Sequence, residues 1–215
     1  MYRRRNRHSL GVYAFSVWLY AQDWGLPMKV VGVCVARAQE VTIGGRPVLT
    51  AIGKRAVDGA VAVGAGGLEG DEQADPSVHG GPAKAVYAYP IEHHAFWRTV
   101  RAQAGAAAWD AVLPPGLFGE NLLIEGFTEE RIWVGDRLRL PGCTLAVSAP
   151  RFPCAKFNAA MGFAQAARLM VQSGYCGAYL AVIEAGKVSA GDPFELLPGP
   201  REVNLRELFR ATARA

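Results

Sequence analysis

The feature that most constrains the fold is the shortness of the apolar runs. Most of them end at Gly or Pro, and the first, 28–37, is rich in β-branched residues. Residues 28–37 form a dense run of this kind and read as a buried strand. Runs at 60–63, 84–89, 121–125, 137–140, 144–148, 178–183 and 193–197 read the same way, with turn signals at 44–47, 135–136, 141–142 and 184–187. Only two segments carry convincing helical spacing. Residues 91–103 follow Pro90, a residue suited to a helix start; residues 158–172 put Phe163, Ala166, Ala167 and Met170 on one face and stop at Ser173-Gly174. A short charged helix over 203–212 closes the chain. Many strands and few helices predict an α+β fold that is mostly β. The lack of a strict βαβ alternation argues against a doubly wound sheet.

With 215 residues, 51% of them apolar, the chain suits one domain with a substantial core. The expected division is an extension over 1–27, a body over 28–200 and a short C-terminal helix over 201–215. Lys plus Arg number 23 and Asp plus Glu 19, a formal charge of +4. Such a balance suggests nucleic acid, but Arg3, Arg4, Arg5 and Arg7 stand in the extension against the single acid Asp23. The body is nearly neutral, so a polymer-binding face is not expected. The uncharged stretch 10–21 is too short to span a membrane, which takes about 20 apolar residues. It reads as a tail preceding a natural start at Met28, as a docked extension, or as a targeting segment.

Cys34, Cys143, Cys154 and Cys176 show no C-x-x-C and no zinc-ligand spacing, and four cysteines do not make a disulfide framework. A reducing, cytoplasmic setting is expected. The chain has no G-x-S-x-G, no H-E-x-x-H and no P-loop. The glycines of 64–70 are out of register for a dinucleotide site, and Glu92-His93-His94 reads as a solvated turn at a helix start.

Three segments carry chemical signal. In the first, Gly67-Leu68-Glu69-Gly70-Asp71 runs on to His79-Gly80-Gly81-Pro82, with glycines that let backbone N–H groups approach a ligand. In the second, Phe118-Gly119-Glu120-Asn121-Leu122 puts an acid and an amide just before a strand. In the third, Pro150-Arg151-Phe152-Pro153-Cys154 stiffens a strand-to-helix turn around a thiol, with a cation close by to favour the thiolate. Such a thiolate can be a nucleophile or a soft metal ligand; a buried structural cysteine is the alternative.

The ordered set GLEGDxxAD, HGGP, FGENL, PRxPC and AGxVxxGD, the last over 185–192, resembles the MOSC domains, which are related to the C-terminal part of molybdenum-cofactor sulfurases. The likeness runs from about Val30 to Leu197. Tyr89-Pro90-x-Glu92-His93 and Val147-Ser148-x-Pro150-Arg151 are most similar to the bacterial YiiM-like branch. The resemblance implies a β-barrel with a few peripheral helices that binds the molybdenum cofactor (molybdopterin), with Cys154 as the protein ligand to the metal. It implies reduction of N-hydroxylated compounds, such as hydroxylaminopurines or amidoximes, to amines or amidines, a detoxifying oxidoreductase activity. Such an enzyme takes a free small molecule as substrate and needs an external electron-donor reductase, because no flavin or iron–sulfur signature is present.

Arg151, Asn121, Gly80, Gly81, Lys54 and Arg55 are the candidates for holding the cofactor, Lys54 and Arg55 on charge alone. Asp71 and His79 join Cys154 as candidate catalytic residues, with His79 as a proton relay. The alternatives are a sulfur carrier with a persulfide on Cys154, or a cofactor-binding carrier without turnover. The branch carries several helices after the barrel, whereas 201–215 leave room here for one. A homodimer stays open. Cys34, Cys143 and Cys176 read as structural.

Overall fold

The computed structural model describes residues 28–74 and 80–213; the extension 1–27 and His79 lie outside the described residues. The chain begins with β1 (Lys29–Val35), the hairpin β2 (Gln39–Ile43) and β3 (Arg46–Thr50), then β4 (Arg55–Ala56), β5 (Val61–Gly64) and β6 (Gly67–Leu68). A 3-10 turn at Pro82–Lys84 leads into β7 (Val86–Pro90), and a second at Ile91–His93 into α1 (His94–Gln103). Next come β8 (Leu122–Glu125), β9 (Arg137–Arg139) and β10 (Thr144–Pro150), then α2 (Ala155–Met161) and α3 (Ala166–Ser173). β11 (Ala178–Glu184), β12 (Gly186–Val188), β13 (Glu195–Leu197) and α4 (Leu205–Ala213) complete the order. The fold is mostly β with a few helices, as the short apolar runs predict.

The main sheet has eight strands in the order β13-β9-β10-β11-β7-β8-β1-β4. All its ladders are antiparallel except β7 with β8. A parallel pair needs a crossover, and 91–121, containing α1, supplies it. The ladder does not close: β13 and β4 remain its two ends. The start of β1 nevertheless reaches the approach to β13, where Val30 N–H donates to Asp192 O at 2.9 Å and Gly191 N–H to Val30 O at 2.8 Å.

Strand alternation sorts the interior into two clusters. Along β7, Val86 and Ala88 enter an aliphatic cluster with Leu122, Ile124, Leu145 and Leu180. Tyr87 and Tyr89 point to the other face, into an aromatic cluster with Trp97, Phe118, Phe157 and Phe209. A strand buried on both faces shows no polar alternation, and every residue of β7 is buried. Phe152 stacks on Phe209 with centroids 5.0 Å apart, so α4 packs beneath the turn that carries Cys154.

Several expectations are corrected. The single helix over 158–172 is two helices, because Gly162 is left-handed (φ 79°) and ends α2. The short elements β2, β3, β4 and β6 were not legible as strands, and β12 starts inside the turn expected at 184–187. Gly64, Gly66 and Gly67 make the tight β5–β6 turn, and Gly70 follows β6. Of Glu92-His93-His94, read as solvated, only Glu92 is exposed. His93 is buried, its Nε2 2.7 Å from Glu129 Oε2, and its ring stacks on Tyr175 at 3.8 Å. Glu129 Oε1 accepts from Gly177 N–H at 2.7 Å, so this pair ties the start of α1 to the approach of β11.

Gly177 is left-handed (φ 66°), and a Cβ there would meet Ala88 O at 2.5 Å and Tyr87 Cε2 at 2.8 Å. Overpacking and left-handed strain together put the cost of Gly177→Ala at about 2–4 kcal/mol. A lowered urea midpoint at unchanged m-value is the expected result, and an unchanged midpoint would show that this approach is not tight.

Candidate functional site

One cleft brings together Cys154, Arg151, Asn121, Asp71 and Lys54. These span 100 positions of the chain, from Lys54 to Cys154, and come from all three segments singled out above, plus the β3–β4 connection. Thr50, Ile52, Gln73, Lys84, Tyr87, Gly119, Lys156 and Tyr179 also line it. Arg55 is exposed on β4 and Gly80 and Gly81 are not in the lining. Gly81 stays one bond away, its N–H donating to Gln73 Oε1 at 2.8 Å.

The cleft opens where the main sheet splits. β8 runs between β7 and β1, and Asn121 sits just before it. Its backbone still bridges both neighbours, donating to Tyr87 O at 2.8 Å and accepting from Cys34 N–H at 2.7 Å. Its side chain repeats the pattern: Oδ1 accepts from Tyr87 N–H at 3.0 Å, and Nδ2 donates to Cys34 O at 3.3 Å and Asp71 Oδ2 at 2.8 Å. Both donors are therefore used, and one lone pair of Oδ1 remains for a ligand. Asp71 Oδ1 accepts from Ala36 N–H at 2.9 Å and from Lys54 Nζ.

Cys154 follows β10 at the end of the stiff Pro150–Pro153 approach. It occupies the N-cap position of α2 in extended backbone, but its side chain does not cap the helix. It is half-buried, whereas Cys34, Cys143 and Cys176 are buried, and none of the four is in a disulfide. Burial, reinforced by Glu120, pushes the Cys34 thiol up to about 12; burial, with Asp192 nearby, pushes Cys143 up to about 11. Burial also holds Cys176 well above the ordinary thiol value. These three remain protonated and inert at neutral pH, which leaves Cys154 as the cysteine suited to ligation.

Arg151 is buried, with its guanidinium carbon 5.0 Å from the Phe157 ring centroid and 5.5 Å from that of Tyr87. It hydrogen-bonds Tyr179 and approaches Met170 Sδ at 3.7 Å, and among the described residues it forms no ion pair with a carboxylate. Lys84 lies 5.7 Å from the centroid of the Tyr179 ring, and Lys156 Nζ donates to Leu49 O at 2.8 Å. A wall of cations and π-faces beside a thiol suits an anionic ligand. Sequence reading missed Tyr87 and Tyr179, which sit opposite each other in the β7–β11 ladder inside runs that look like core. It also missed Lys84 and Lys156, although each stands two residues beyond a segment it had singled out.

Glu120 lies behind the cleft wall, fully buried. Its oxygens accept from Gly116 N–H at 2.6 Å and Phe118 N–H at 3.0 Å. Burial raises its carboxyl from 4.5 to about 7, against the pull of these N–H groups and of Lys54. A carboxyl raised in the folded state favours folding while protonated. That contribution is complete below pH 4.5 and disappears as the pH rises through 7, a loss of about 3 kcal/mol. Glu120→Gln does not titrate, so wild type should lose stability relative to it between pH 5 and pH 8 in urea unfolding. A pH-independent gap would mean that Glu120 keeps one protonation state throughout.

The family model for the MOSC domain matches residues 75–195. Protein YiiM of Escherichia coli (strain K12) is 41% identical over 164 residues, covering 76% of this chain and 70% of that protein. A protein named Reductase from Gibberella moniliformis is 31% identical over 190 residues, 86% of this chain. The chain spans only 33% of that relative. The crystal structure of YiiM from Geobacillus stearothermophilus aligns with a TM-score of 0.69 at 28% identity, covering 86% of this chain and 84% of that one. The fold, the ordered motifs and these likenesses agree that the chain belongs to the MOSC domain family.

Proposed function

We propose that the protein is a molybdenum-cofactor-dependent reductase of N-hydroxylated small molecules of the hydroxylaminopurine or amidoxime type. The observation that carries the reading is the meeting of the half-buried Cys154 with the carboxylate-free Arg151 in one cleft. The donor set fits the cofactor. Among the described residues no three His, Cys, Asp or Glu side chains converge as a metal site. A metal here would therefore take one protein thiolate and draw its other ligands from a cofactor or solvent, as a pterin dithiolene allows.

In this reading Cys154 ligates the metal. Arg151 and Lys54, with Lys84 and Lys156 at the rim, take the anionic pterin phosphate. The remaining Oδ1 lone pair of Asn121 is free for a pterin or substrate donor. Tyr87 and Tyr179 wall the cleft with π-faces against which a flat substrate can lie. When bound, the cofactor supplies the two-electron exchange that breaks the N–O bond. The balanced reaction takes two electrons and two protons per N-hydroxyl group and releases amine and water. A separate reductase supplies the electrons, and His79 relays a proton. The reading also takes the bonds between Val30 and the 191–192 segment as the seam of a MOSC-type barrel, and a cytoplasmic site of action. Among the described residues no helix is long and apolar enough to cross a membrane.

Protein purified from a host that makes the cofactor should carry molybdenum near one atom per chain and reduce 6-hydroxylaminopurine with a chemical electron donor. Cys154→Ala should lose activity to background, and Arg151→Met should lower cofactor affinity about tenfold or more. A wild-type protein without molybdenum, or full activity in Cys154→Ala, would overturn the reading. Sulfur found on Cys154 by mass spectrometry, with no molybdenum, would favour the sulfur-carrier alternative.

A further inference from the structure

Lys54 and Asp71 form an ion pair whose side chains are only 8% and 7% exposed. Charges so deeply withdrawn from water cost several kcal/mol unless each is held in good geometry by further bonds. The additional bonds fall almost entirely on Asp71. Besides Lys54, it accepts from Ala36 N–H, just past β1, and from Asn121 Nδ2, just before β8. Three segments thus aim donors at one carboxylate. Of about four lone-pair positions, one is left. A proton acceptor in turnover needs an open lone pair toward its substrate, and this carboxylate is largely occupied by the protein.

Lys54 is the opposite case. Among the described residues its ammonium has one acceptor, Asp71, and three protons to give. It also lines the cleft. Its backbone is fixed from behind. Gly116 is left-handed (φ 87°) and so close that a Cβ there would meet Lys54 O at 2.3 Å. Gly116 is held in turn by Glu120 at 2.6 Å. The lysine is therefore set at both ends, by the 116–120 loop at its backbone and by Asp71 at its tip.

We propose that Asp71 is the positioning residue of Lys54, and that Asn121 sets Asp71, so that the cleft presents one fixed ammonium to the anionic group of its ligand. The proposal rests on the reading of the cleft as a site for an anionic cofactor. It gives Asp71 a role in place of the catalytic one expected from sequence. Asn121 contributes through the same chain of bonds: its carbonyl fixes the amide against Tyr87 N–H, and its amino group fixes Asp71.

The test is a double-mutant cycle with Asp71→Asn and Lys54→Met, read as affinity by calorimetry with two probes, inorganic pyrophosphate and the isolated molybdenum cofactor. Asp71→Asn alone should weaken both about tenfold. In the Lys54→Met background it should change neither by more than about twofold, because coupled residues are non-additive. Lys54→Arg should retain affinity and its dependence on Asp71. A purely structural role predicts equal losses in both backgrounds, following the thermal midpoint, and overturns the proposal. A proton-transfer role predicts a displaced pH–rate limb in both backgrounds at saturating cofactor, and also overturns it. If Asp71→Asn does not fold, Asp71→Glu keeps the charge but moves it by one methylene, and it should show the same coupling. Coupling seen with pyrophosphate in a protein that takes up no molybdenum would reject the cofactor reading and leave the positioning of Lys54 standing.

Discussion

The structure depends on a substitution of one amide for another at Asn121. Where β8 begins between β7 and β1, a backbone peptide would have to bond on both sides to keep the sheet intact. Asn121 makes those bonds with its main chain and repeats them with its side chain, meeting Tyr87 N–H on one side and Cys34 O on the other. The side-chain amide serves as an extra peptide unit, giving Tyr87 N–H an acceptor and Cys34 O a donor at the start of β8. The gap left beyond it is the cleft. An aspartate could accept but not donate in this position, and a leucine could do neither.

Aspects of the site that seem unrelated follow from that splitting. Asn121 reaches Asp71, and Asp71 reaches Lys54. The preceding residue, Glu120, turns back to grip its own loop, which presses on the backbone of Lys54 and Ile52. Two adjacent residues therefore brace one cleft wall from two directions. On the far wall, Tyr87 and Tyr179 sit opposite each other at neighbouring strand positions and enclose Arg151 with Phe157.

The class of fold and the stiff turn that leaves Cys154 less buried than the other cysteines were legible because each rests on local chemistry. Apolar runs of four to seven residues closed by Gly or Pro are too short for helices, and the prolines at 150 and 153 specify a stiff turn whatever surrounds it. The break at Gly162 was not legible, because a glycine within a helical pattern looks the same whether it continues the helix or adopts a left-handed angle to end it. The hairpin of β2 and β3 was visible only as a turn: its residues are largely exposed, and the alternation is short, confined to Val41 and Ile43 in β2. The Lys54–Asp71 pair spans 17 positions and needs the β1, β4 and β8 register before it exists. Tyr87 and Tyr179 carry the pattern of core and are core except at one edge. His93 was misread as solvated because its partner, Glu129, lies 36 residues on in a segment without periodicity.

Arg151 carries a consequence beyond binding. A buried guanidinium held by Tyr179, aromatic rings and a thioether, with no carboxylate paired to it among the described residues, carries a desolvation cost. A neutral side chain of similar shape in its place would leave a tighter and calmer interior. On the proposed reading, an anion entering the cleft would offset that cost. Thermal resistance and ligand retention are then opposed at this position, and a variant selected for heat tolerance alone would be expected to lose the charge first.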